Sequence, residues 1–554
     1  MKKGKRVPAL LLAVLMTVSL LCACAEKRKE TGSAIRVCVC TEQETLDPAK
    51  VDDIGAQSIV DLLFEGLVRY LDDGNGNAVL QNGVAEGYQS VQNADGTVTY
   101  TFSLRSNAKW SDGRRVTADD FVFAWRRLAN PETNAAQAEL LSAVKGFDEV
   151  QAGGSLENLG VSAKNSSTFC VTLVRACPDF LSSTCASTAC VPLREDAVNR
   201  TQKGHTEDLN AVEEKEIDQD EWATSIGLLA NGPYCIDTWD KDREITLKRN
   251  EHYYDEHLAQ PSKITFVFEA PERALNLLKK GNLDYVAPVY RDDLSDSDDV
   301  EIIRTDLCTT YCVIYNHDSE RFGNEEVRGA FDSVIDREAI AQIADMKAAA
   351  GPVPHGISNG DGNGKDFCET STFQITQEAK NTPAERLAKT GYFEWEGLSA
   401  LHYLYVLSDR NTKVAQALCE TWGRELGVEV APEGVTQSEF DKRLAEGDYE
   451  LAGMLFEIKT DDAYGFLRIF KSSNSHNVIR YAVGVYDILL GVTEGATDVS
   501  ARAAFLHDAE NMLIEQAAMS PLYYGVSMAA GVKGLHGVCR DHFGHIYFAV
   551  ASKK

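Results

Sequence analysis

Residues able to do covalent chemistry are scattered through this chain without the spacing that catalysis needs. Ser527 in Gly525-Val-Ser-Met-Ala529 lacks the second glycine of a nucleophile elbow. His542 and His545, in Asp541-His-Phe-Gly-His545, are the closest histidine pair, with no evident third ligand and no H-E-x-x-H anywhere. No C-x-x-C pair occurs, so a structural zinc site is not expected. Asn359, Asp361, Asn363 and Gly364 partly mimic a calcium loop, but Thr370 stands where the closing Glu is required. Phosphate-cradling glycine motifs are absent. With 84 acidic residues, any two carboxylates can be imagined as a glycosidase pair, so that signal decides nothing. No catalytic residue, metal or cofactor is expected, and the balance favours binding over catalysis.

The elements that would position a ligand are more legible. Thr97–Thr133 opens with Tyr100, Phe102 and Leu104 alternating onto one face, which predicts a half-buried strand. Trp110-Ser-Asp-Gly113 is a turn, because Ser and Asp side chains bond nearby backbone and Gly accepts positive φ. Thr117-Ala-Asp-Asp120 supplies an N-cap and first-turn acids for a helix carrying Phe121, Val122, Trp125 and Leu128. Asn130-Pro131 should stop it.

The chain has 554 residues, which implies two or three domains rather than one core. Its formal charge of −29 becomes −33 once Lys2, Lys3, Lys5 and Arg6 are set aside. Such a surface repels nucleic acid and anionic headgroups, so no nucleic-acid partner is expected. A basic start and the apolar run from Val7 to Leu21 read as a secretory signal, too short to span a bilayer. Of fourteen cysteines, twelve lie beyond that export region, and buried free thiols are the expectation for most. The acidic run Arg291–Glu301 reads as a solvated loop.

The wording of Thr97–Thr133 closely resembles a stretch of the oligopeptide-binding proteins, the family 5 extracellular solute-binding proteins of ABC importers. The resemblance continues through Leu46-Asp-Pro48 and Ile59–Leu71, expected as a turn and an amphipathic helix. It continues through Asn231-Gly-Pro-Tyr234, Ala274–Tyr285, the helix Glu326–Ile340, Val414–Val430 and Pro521-Leu-Tyr-Tyr524. Leu21-Cys22-Ala23-Cys24 resembles a bacterial lipobox, which makes Cys24 the lipidated residue. The resemblance implies an α/β, periplasmic-binding-protein-like fold (class II, cluster C type): two α/β lobes around a ligand cleft plus a smaller third domain. The expected division is a signal peptide at 1–23 and a lipid-anchored linker at 24–33. Lobe I then takes 34–78, 191–302 and 519–554, the extra domain 79–190, and lobe II 303–518.

The same resemblance implies a lipid-anchored monomer on the outer face of the membrane, or in the periplasm of a double-membrane cell. It would deliver oligopeptides to an ABC permease. Ligand contacts are expected from Asp52, Ile54, Tyr311, Arg443, Phe456, Glu457, Lys459, Asp461 and Asp462. The family's carboxylate for the peptide amine aligns with Lys459, which reverses the charge; Glu457, Asp461 or Asp462 could substitute. Phe456 stands in for the family's Trp, and Cys308 for a cysteine whose partner position is Glu457. Bland alternatives are a core Phe456, a solvent-facing Lys459 and a helix-capping Asp52. Other cargo (anionic, N-blocked or non-peptide), a surface sensor without transport, and a secreted hydrolase remain competing readings.

Overall fold

The computed structural model describes residues 32–39, 43–199, 221–289, 299–361, 365–371, 382–383, 386–387, 390, 401–496 and 498–553, and the backbone of 201–205 and 212–216. The export segment with Cys22 and Cys24, Cys40, most of the acidic run and part of the calcium-like loop lie outside them.

The strand–turn–helix unit forms as its residue pattern predicts. Val98–Leu104 is the second strand of a four-stranded antiparallel sheet, between Ala85–Gln92 and Thr168–Leu173, with Val161–Asn165 beyond. Phe102 and Leu104 are buried and Tyr100 half-buried. Gly113 takes φ +87°, as the turn requires. The helix Ala118–Ala129 starts where the Asp120 carboxylate accepts the Thr117 N–H at 2.8 Å, and it ends at Asn130-Pro131. Trp125 is fully buried and donates its indole N–H to the Cys190 carbonyl at 2.9 Å.

Among the described residues the larger sheet has eleven strands, one of them the short Lys347–Ala348 beside Met519–Val532. One half holds Tyr234–Asp240, Glu244–Arg249, Lys263–Val267, Ile35–Cys38 and Tyr285–Val286. The other holds Leu451–Glu457, Leu401–Val406 and Val430–Val435. Two long antiparallel strands, Val300–Tyr315 and Met519–Val532, belong to both halves, with the pairing register broken between Asp306 and Thr310. The four-stranded sheet shares its apolar core with the first half, whereas Leu404, Phe456 and Tyr486 anchor a separate core in the second.

Three elements differ from expectation. The helix expected at Ile59–Leu71 spans Ile54–Leu63, and Val68–Asp72 is a strand paired with Ala78–Asn82. The helix stops at Leu63, with Phe64 already extended; glycine follows at 66, where a Cβ would stand 3.1 Å from the Cys185 carbonyl, and β-branched Val68 suits the strand. The long helix at Glu326–Ile340 is two, Glu325–Ser333 and Arg337–Ala344, the second capped by Asp336. Asp332, polar at a position expected to be apolar, ion-pairs with Arg337 across that break. The first strand ends at Cys38 rather than Cys40.

Asp53, not Asp52, caps Ile54–Leu63, its carboxylate accepting the Gly55 N–H at 2.9 Å. Asp53→Ala is expected to cost about 1 kcal/mol in urea unfolding. A loss matched by Asp52→Ala would remove that assignment. Among the described residues eleven cysteines are free thiols, and no helix is long and apolar enough to cross a membrane.

Candidate functional site

Where the two halves of the sheet meet, five elements converge on a cleft. The helix Ile54–Leu63 turns Gln57, Ser58 and Asp61 inward, and Tyr70 comes from the following strand. Ser182 and Ser183 come from the turn after the four-stranded sheet, Lys459 from the loop after Leu451–Glu457, and Asp541, Phe543, His545 and Tyr547 from the C-terminal segment. They line a cavity of about 60 Å³. Tyr70, Asp541 and Phe543 also line an adjoining cleft of about 810 Å³, which takes in Asp72, Glu301, Arg304, Asp306, Asp461 and Arg540. That volume lies within the ordinary range for a small-molecule or peptide pocket.

Asp541 is the hub. One carboxylate oxygen accepts the Phe543 and His545 backbone N–H groups at 3.0 and 2.9 Å. The other accepts His545 Nδ1–H at 2.7 Å and the Tyr547 hydroxyl at 2.9 Å. Burial alone would raise its pKa, but His545 and these bonds hold it below the ordinary carboxylate value. Burial works against charge on His545, yet Asp541, Asp61 and Glu457 together raise it. Asp61 is pushed up to about 7, chiefly by burial and only partly countered by His545. It has no hydrogen-bond partner among the described residues, so its carboxyl is free for a ligand. Asp461 is pushed to about 6 by burial, against bonds from the Ser358 N–H (2.7 Å) and the Ser182 hydroxyl (3.1 Å). With the Ser183 hydroxyl bonded by Asp461 N–H at 2.8 Å, this residue joins the two halves at the cleft. In the larger cleft, Arg540 is buried, gives its terminal nitrogens only to Ser527, and leaves Nε unpaired. It has no carboxylate partner among the described residues. The cleft therefore offers carboxylates around the His545 imidazole and the Lys459 ammonium, plus the Arg540 guanidinium, which forms no ion pair among the described residues.

Of the residues expected to bind ligand, Lys459 is exposed and lines the small cavity. Asp461 lines the cleft, and Glu457 is exposed near His545. Ile54 sits at the rim, its Cδ1 3.2 Å from where a Cβ on Gly544 would stand. Asp52 is exposed beside it, outside both cavities.

Four expectations are corrected. Phe456 is buried among Phe466 and Phe470, with ring centroids at 5.7 and 5.4 Å, because its strand face points into the core. Tyr311 is buried and stacked on Tyr523 at 5.0 Å. Asp462 is saturated: it pairs with Arg502 and caps the helix Ala463–Leu467. Arg443 pairs with Glu433 and Asp448 on a separate surface hollow. Asp61, Tyr70, Arg540, Asp541 and His545 were not expected, although the Asp541–His545 stretch had stood out as a histidine pair.

Two α/β lobes bridged by two long strands around a cleft, with a smaller third sheet beside the first lobe, define a class II periplasmic-binding-protein-like fold. The profile described as bacterial extracellular solute-binding proteins, family 5, middle region, matches residues 80–477, and the chain belongs to that family. Over 500 residues it is 29% identical to the periplasmic oligopeptide-binding protein OppA of Salmonella typhimurium, spanning 88% of this chain and 86% of that one. It is 28% identical over 465 residues to the dipeptide-binding protein DppE of Bacillus subtilis, spanning 82% and 81%. The structure of Haemophilus influenzae OppA in complex with RPPGFSPFR aligns with a TM-score of 0.68 at 25% identity, covering 94% of this chain and 99% of that one.

Proposed function

We propose that this protein captures peptides between its lobes and hands them to an ABC permease, without chemistry on the peptide. In this reading Cys24 carries the lipid that holds the chain at the outer face of the cell membrane, and the lobes divide at the boundaries given above. Relatives named for oligopeptide and dipeptide binding support the cargo class. The observation that carries the reading is the charge layout of the cleft. Asp61 and Asp461 offer a place for an ammonium, and Arg540 offers one for a carboxylate. A zwitterionic peptide presents those two groups at its ends. Its backbone would be held by strand-like bonds and its side chains by hydrated space, which makes selection among side chains weak. Closure is a shift of population toward the ligand-bound state.

Calorimetric titration with short free-amine peptides and their N-acetylated forms tests this. Preference for the free amine supports the reading; equal binding of both removes amine recognition. Lys459 favours a second reading, in which an anionic or N-blocked ligand occupies the small cavity, and N-acetyl preference would select it.

Affinity for free-amine peptides is expected to rise between pH 6 and about 7.5. Asp61, pushed up to about 7, ionises over this interval while the peptide amine, with a pKa of about 7.7–8.0, stays largely protonated. In Asp61→Asn the slope should flatten. A slope unchanged in that variant places the titrating group elsewhere.

A further inference from the structure

Away from the cleft charges, the loop between Lys347–Ala348 and Phe367–Thr370 gathers three different donors. His355 Nδ1 lies 3.7 Å from Asp366 Oδ1, and His355 Nε2 lies 3.9 Å from Cys368 Sγ. One donor atom from each residue can be chosen so that all three lie within 4.8 Å of one another. Donors bound at 2.0–2.3 Å to a tetrahedral zinc ion stand about 3.3–3.6 Å apart, so the cluster is open by only a small movement.

The backbone around it is already fixed. Phe367 N–H bonds the Ile357 carbonyl and Asn359 N–H bonds the Lys365 carbonyl, each at 2.8 Å, so the two arms of the loop run side by side. Asp366 Oδ1 accepts Cys368 N–H at 2.8 Å, and Oδ2 accepts Gly356 N–H at 2.6 Å. These bonds aim the carboxylate while leaving it lone pairs to share. The His355 ring meets Tyr524 edge-on at 5.4 Å, and the Tyr524 hydroxyl lies 3.4 Å from Cys368 Sγ. All three donor residues are half-buried, which shields the site and leaves an entry path.

We propose that His355, Asp366 and Cys368 form a site for one borderline-soft divalent cation of the zinc type. Mixed imidazole, thiolate and carboxylate donors select such ions over calcium or magnesium, which take oxygen donors. Three protein ligands leave a fourth position for water or an exogenous group. The linear spacing of 355, 366 and 368 matches no compact zinc motif; the paired loop arms create the cluster. The bound ion would pin the loop whose Ser358 N–H holds Asp461 and whose Gly356 lines the cleft.

The test uses the untagged, reduced, chelator-treated full chain, loaded with Zn²⁺ and dialysed. One equivalent of zinc by elemental analysis is expected, and Co²⁺ should give a thiolate-to-metal charge-transfer band. His355→Gln and Cys368→Ser should each weaken Zn²⁺ binding at least tenfold, and Cys368→Ser should abolish the band. Cys308→Ser, whose thiol donates to the His355 carbonyl at 3.7 Å and lies outside the donor cluster, should leave both intact. Circular dichroism of the metal-free variants checks folding, and His355→Gln remains informative if Cys368→Ser misfolds. Failure to retain zinc, or retention unchanged in both folded variants, overturns the proposal. Metal stoichiometry reads this site whatever cargo the cleft takes.

Discussion

Arg502→Ala is expected to lower the unfolding free energy by about 3–5 kcal/mol, the cost of stranding a buried carboxylate. Arg502 grips Asp462 in two parallel bonds of 3.1 and 2.6 Å, with the two side chains only 5% and 9% exposed. Asp462 also accepts the Tyr464 N–H at 3.0 Å, and the guanidinium lies over the Tyr464 ring. Removing the arginine leaves the charge in place without its partner. The double variant Arg502→Met, Asp462→Asn should recover most of the loss, because no ion remains buried and Asn still caps the helix. Guanidinium titration of the three proteins measures this. A loss below about 1 kcal/mol in the single variant would mean that water reaches the pair.

Lys459→Asp should shift the preference between free-amine and N-acetylated peptides at least tenfold toward the free amine. Lys459 lines the cavity formed by Asp61, Asp541 and His545, so its ammonium opposes a cationic peptide end. A unit charge at about 5 Å and an effective dielectric of about 20 contributes about 3 kcal/mol, and the substitution reverses its sign. The new carboxylate also joins Asp61 and Asp461, whose pKa values are already raised to about 7 and about 6, so the gain grows from pH 6 to about 7.5, before the peptide amine loses its charge. Paired calorimetric titrations give the ratio. If it does not move, the peptide amine lies outside this cavity and the second reading of the cargo gains.

The scaffold was legible because its signals are local. Thr117 and Asp120 are three residues apart, and Phe102, Leu104, Phe121 and Trp125 follow strand and helix periods. The helix at Ile54–Leu63 was misplaced because Val68 and Tyr70 continue an apolar pattern past its end at Leu63. The cleft was much less legible. Asp61 and Asp541 meet only because the C-terminal segment returns to the first lobe. Asp461 and Asp462 are adjacent in sequence, yet one lines the cleft and the other is consumed by Arg502. Phe456 matched an expected aromatic in type but faces the core, since a strand sends neighbouring side chains to opposite sides.

The long strand Met519–Val532 is threaded between Tyr285–Val286 and Val300–Tyr315, near the middle of the large sheet. Tyr285 pairs with Gly531 and Val300 with Val532, so the first half cannot close its sheet until the last part of the chain arrives. Until then each half presents an unpaired edge. Pairings this distant in sequence form slowly, and open edges recruit strands from other molecules. The newly made chain is therefore most prone to aggregate before that strand inserts. Substitutions that weaken Met519–Val532 should reduce the yield of folded protein before they alter what it binds.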